Sequence, residues 1–68
     1  MTHSAVANLA HETATRLIAR MGLPTDREGV ARTACGCDGI DPDSVEGELY
    51  VDRMIGHFVN VGAGTAGR

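Results

Sequence analysis

Two prolines divide this chain of 68 residues into three stretches, and each stretch has room for one regular element. Pro24 and Pro42 lack the amide proton that a helix interior or a central strand requires, so an element must end before them or begin at them. The fold is therefore expected to be a small set of short elements.

The first stretch is patterned as a helix. Over residues 4–21 the apolar positions Val6, Leu9, Ala10, Ala14, Leu17, Ile18 and Met21 recur at spacings of three and four, which places them on one stripe. Asn8, Glu12, Thr15, Arg16 and Arg20 fall opposite, with Glu12 and Arg16 in the favourable i,i+4 order. Gly22 then occupies the position of a left-handed C′ residue, and Pro24 forbids continuation.

Thr25 and Glu28 have the spacing of a capping box and predict a second, short helix. Its inner edge is Val30, Ala31, Ala34 and Cys35, and Gly36 is its expected stop. Residues 37–40 read as a loop. Asp41-Pro42-Asp43-Ser44 predicts a third start, with Asp41 as N-cap and Pro42 in the first turn. Val51, Met54, Ile55, Phe58 and Val59 follow at i, i+3, i+4, i+7 and i+8. A strand over residues 49–61 would instead set Arg53 and His57 among the apolar positions of one face. Gly47 and Gly56 each weaken a helix by about 1 kcal/mol relative to Ala, so a break near Gly47 is an open expectation.

These stretches predict an all-α fold of three helices, long, short and long, with residues 1–61 as a single domain and residues 62–68 as a flexible Gly/Ala-rich tail. With one Phe, one Tyr and no Trp, the core is thin. A domain of roughly 60 residues buries only about 60% of the surface of its unfolded chain. Contact with another chain is the expected supplement, and the apolar seam Leu17, Ile18, Met21, Met54, Ile55 and Phe58 is the expected surface, flanked by Arg16 and Arg20.

Charge sharpens the expected partner. The net charge of −3 sums a first part, residues 1–37, at +1 and an acidic segment, residues 38–61, at −5, with Arg68 beyond them. Asp43, Glu46, Glu48 and Asp52 would face phosphates if the third helix read DNA, so nucleic acid is not expected. Opposite halves suit head-to-tail self-association or a basic partner. No apolar run reaches the roughly 20 residues of a membrane span, and a cytoplasmic location is expected. The use of Arg without Lys suggests a GC-rich bacterial coding sequence.

The candidate chemistry lies at Cys35-Gly36-Cys37. Two thiolates can chelate a soft metal, with His57, His11 or His3 completing the site. Zinc, or an iron–sulfur cluster shared between chains, is the cofactor such a site would hold; otherwise none is expected. A thiol-redox pair is the other use. The alternative is a buried small hydrophobe, Cys35, beside an incidental loop thiol.

The acidic segment fits no EF-hand register: counted from Asp41, position 5 is Val45 and position 6 is Glu46. Asp43-Ser44-Val45 at a helix start, with Phe58 beyond, resembles the phosphopantetheine attachment site of acyl carrier proteins. That resemblance would make Ser44 the attachment residue. It covers residues 43–58 and departs at Glu48, where an apolar side chain belongs; Asp and Ser also open helices for capping alone. A helix-turn-helix drawn across Gly36 needs a longer connection than that motif uses. No Ser/His/Asp triad, phosphate loop or HExxH occurs, so the sequence favours a non-enzymatic accessory or regulatory protein acting by protein contact, with a metal or thiol module as the alternative.

Overall fold

In the computed structural model, which describes residues 2–66, the chain forms three helices: α1 (His3–Met21), α2 (Arg27–Cys37) and α3 (Val45–Ala66). The expected all-α architecture is what the chain adopts, and α3 runs unbroken through Gly47 and Gly56. His11 rests against His57 and Leu23 lies beside Gly62, so α1 and α3 run in the same direction. The shorter α2 returns antiparallel and packs on α3, completing an up-down-up bundle 36 × 20 × 17 Å in extent.

α3 packs against both other helices. The core is Val6, Ala10 and Ala14 from α1, Ala31, Ala34 and Cys35 from α2, and Tyr50, Met54 and Phe58 from α3. Five of these nine side chains are alanine or cysteine sized. Small residues on α1 and α2 let the two helices approach the large side chains of α3, which supplies both aromatic rings.

The end of α1 at Met21 is the expected one, and the other boundaries differ from the sequence expectation in instructive ways. Thr2 caps α1 by accepting the Ala5 amide at 3.1 Å. Gly22 closes it with φ +77° but ψ −171°, so the backbone leaves in an extended mirror-image conformation and not as a left-handed C′ residue. At α2 the capping residue is Asp26, whose carboxylate accepts the Gly29 amide at 3.0 Å, and not Thr25. α2 continues past Gly36 to Cys37 and ends in a Schellman motif. The Ile40 amide reaches the Cys35 carbonyl, and the Gly39 amide reaches that of Gly36, with Gly39 at φ +82°.

α3 begins at Val45, four residues after the expected cap. Asp41 and Pro42 form a turn instead, in which the Asp43 amide donates to Asp41 Oδ1 at 3.0 Å and the Ser44 hydroxyl to the Asp41 carbonyl at 2.6 Å. Ser44 Oγ then accepts the Gly47 amide at 3.0 Å and caps the helix. This turn folds back over Gly47, so closely that Pro42 Cα is 2.7 Å from where a Cβ on Gly47 would sit.

At the other end α3 passes Val61, where the tail is expected to begin, and stays helical to Ala66. Leu23 supplies the reason: its Cδ1 would stand 3.5 Å from a Cβ on Gly62, and Val61 and Gly62 are half-buried. Gly67 and Arg68, the end of the expected tail, lie outside the described residues. Among the described residues, no helix is long and apolar enough to cross a membrane.

Candidate functional site

A single carboxylate ties the three helices together. Asp38, the C-cap of α2, accepts the Thr13 hydroxyl of α1 at 2.8 Å and the Tyr50 hydroxyl of α3 at 2.5 Å, both on Oδ2. Burial, reinforced by the bond to Asp38, pushes the Tyr50 phenol well above its ordinary value, so it stays a donor. This arrangement holds the fold; a phenol kept protonated is unsuited to act as a base.

From Asp38 an open groove of about 470 Å³ runs between α1 and α2. Leu17 and Met21 form its α1 wall, and Val30, Ala34 and Cys37 its α2 wall. Met21 is 66% exposed at the mouth, with Leu23 and Val59 also exposed at the same end of the bundle. Arg20 continues the Thr13–Leu17 stripe at i+7, and Arg16 lies one turn earlier, paired loosely with Glu12 at 3.7 Å on the surface. Such an exposed pair adds little stability, which leaves the guanidinium available to another molecule.

The opposite end carries the acidic groups. Asp41, Asp43, Glu46 and Glu48 surround the turn and the first turn of α3, and Val45 projects among them at 67% exposure. Arg32 of α2 meets Asp43 at 2.9 Å, one cation against that cluster. The acidic groups of the second half thus gather at one end of the bundle, while the Met21 end mixes Arg16, Arg20 and Arg27 with Asp26 and Glu28.

The expected contact seam is divided by the fold. Met54 and Phe58 are fully buried in the core, while Leu17, Ile18 and Ile55 are half-buried and Met21 faces out. The periodicity identifies an apolar face but cannot say which part of it meets a neighbouring helix.

Nor are the three expected metal ligands brought together. Cys35 is buried, its thiol directed at the Ile40 carbonyl at 3.4 Å. Burial, and then the Asp38 and Asp41 charges, push that thiol up, away from the thiolate that metal binding or redox chemistry needs. Cys37 is exposed at the groove, and His57 sits on α3 against His11. Among the described residues, no three His, Cys, Asp or Glu side chains gather as a metal site. Ser44 is engaged as a helix cap through both its proton and its lone pair.

The Asp38 node and the contact of His11 with His57 have no counterpart among the sequence expectations. A signal for the first was present in Asp38-Gly39-Ile40, a polar residue, a glycine and an apolar residue in Schellman order. The second joins residues 46 apart and leaves no local trace. Compared with family models, curated proteins and solved structures, the chain matches none.

Proposed function

We propose that this chain is a small non-enzymatic accessory protein that works by protein contact, and that the partner its surface fits is a second copy of itself, docked head to tail. The observation that carries this reading is an acidic end set against an end that carries exposed arginines. Val45 projects from carboxylates at one end, and Met21, Leu23 and the groove lie beside Arg16 and Arg20 at the other. Each end presents an apolar centre; carboxylates dominate one flank, and Arg16 and Arg20 flank the other beside Asp26, which lines the groove.

Size refines the geometry. The bundle's end, 20 × 17 Å in section, is too small for the roughly 800 Å² per partner of a stable interface, so the acidic turn of one copy must also lie along the groove of the next. Such a contact is heterologous, closing into a ring or running on as a filament. It is weak and strongly salt-dependent, because charge supplies its orientation.

Light scattering tests the proposal. The mean mass should rise with concentration at low ionic strength and return to one chain at high salt. Two charge-reversed chains, E46R/E48R and R16E/R20E, should each remain monomeric alone and associate when mixed. A chain that stays monomeric at millimolar concentration in low salt, or a mixture that does not associate, would overturn the reading.

A further inference from the structure

On the face away from the groove, α1 and α3 bring two imidazoles into contact. The rings of His11 and His57 stand 4.5 Å apart between centroids, with planes inclined at 69°. They border a hollow of about 490 Å³ that Asp52, Arg53, Gly56 and Asn60 also line. Nothing stands within 4 Å of where a Cβ on Gly56 would sit, which leaves that wall of the hollow open.

The spacing can be compared with what a shared metal requires. A metal–imidazole bond of about 2.0–2.1 Å and a ring radius of about 1.1 Å place each centroid about 3.2 Å from the metal. Two rings bound at right angles then lie about 4.5 Å apart, and two bound at the tetrahedral angle about 5.2 Å. The observed separation of 4.5 Å lies at the short end of that range, so α1 and α3 hold the two rings near enough to share one ion, and imidazole is a suited ligand for nickel and copper.

The geometry points to His11 and His57 as a two-histidine clamp for a divalent ion such as Ni²⁺, bridging α1 to α3. Binding exchanges the edge-to-face ring contact for two metal–nitrogen bonds by rotation of one ring. Water completes the coordination. The Asp52 carboxylate on the same hollow favours the incoming charge and the Arg53 guanidinium opposes it, which sets the site for modest affinity. Because the ligands come from two helices, an ion held by both stabilises the fold and not merely one element.

The test is a titration of the full-length, untagged chain with Ni²⁺ alone, read by calorimetry and by thermal unfolding. A His3→Ala variant serves as background, since an amino-terminal histidine can bind the same ion. One equivalent should bind in this background and raise Tm, with reversal by a chelator. His11→Gln and His57→Gln, which keep the side chain polar so that the helices still form, should each weaken binding at least as much as the roughly tenfold cost of losing an outer-shell partner. No rise in Tm at millimolar Ni²⁺, or undiminished binding in either variant, would overturn the clamp.

Discussion

Gly47 and Gly56 lie in the same helix, and the same substitution at the two should have opposite effects. At Gly56 an added Cβ meets nothing within 4 Å, so Gly56→Ala gains only helix propensity, about 1 kcal/mol. For a domain of this size that raises Tm by about 4–8 °C. At Gly47 the same methyl group would be driven into the backbone of Asp41 and Pro42, with Pro42 Cα at 2.7 Å and the Asp41 carbonyl carbon at 2.8 Å. The turn cannot retreat freely, because the Asp41 carbonyl holds both the amide and the hydroxyl of Ser44. Overpacking costs about 1–3 kcal/mol. Loss of the Ser44 cap adds about 1 kcal/mol, and the propensity gain offsets about 1 kcal/mol. Gly47→Ala should therefore destabilise by about 1–3 kcal/mol, out of a total of about 3–10 kcal/mol for 68 residues. Urea unfolding followed by helical circular dichroism measures both variants on one scale. If Gly47→Ala is as stabilising as Gly56→Ala, the turn does not rest on α3 and the assigned start of that helix is wrong.

Three further outcomes follow from the same contacts. Asp26→Ala should cost about 1 kcal/mol in unfolding free energy by exposing the start of α2, whereas Thr25→Ala should change little; the reverse ranking would restore Thr25 as the cap. Tyr50→Phe removes one of two protons donated to Asp38 and should cost about 1–2 kcal/mol by denaturant titration, an unchanged midpoint showing that the node carries no stability. Burial, and then the neighbouring His11, hold the His57 imidazole below its ordinary value, so over that interval the folded chain binds fewer protons than the unfolded one. In chelator, this group's contribution leaves stability level above about pH 6.5 and lowers it as the pH falls toward the depressed folded value. His57→Gln should flatten that part of the Tm–pH curve, and an unaltered curve would remove His57 from the acid response.

How much of this was legible beforehand depends on the range of the interaction. The α1 stripe and the inner edge of α2 are local periodicities, and the buried set Val6, Ala10, Ala14, Ala31, Ala34 and Cys35 lies within them. The caps were displaced because several residues compete within each start. Thr25 and Glu28 have the better motif, but the backbone enters α2 one residue later, and the proline rule favours Asp41 where Ser44 performs the capping. The continuation of α3 beyond Val61 depends on Leu23, nearly forty residues earlier in the chain. The groove is harder still, since it arises from what α1 and α2 fail to cover once both have packed on α3. A stripe shows which residues are apolar; only the assembled bundle shows which of them remain uncovered.

The up-down-up course of the chain has a consequence for how copies can be linked. Thr2 and the final turns of α3 lie at opposite ends of a body 36 Å long. A neighbour docked head to tail thus brings the finish of one chain toward the start of the next. Two copies encoded in tandem, joined by a short glycine–serine linker, would hold that contact at millimolar effective concentration without altering a single surface residue.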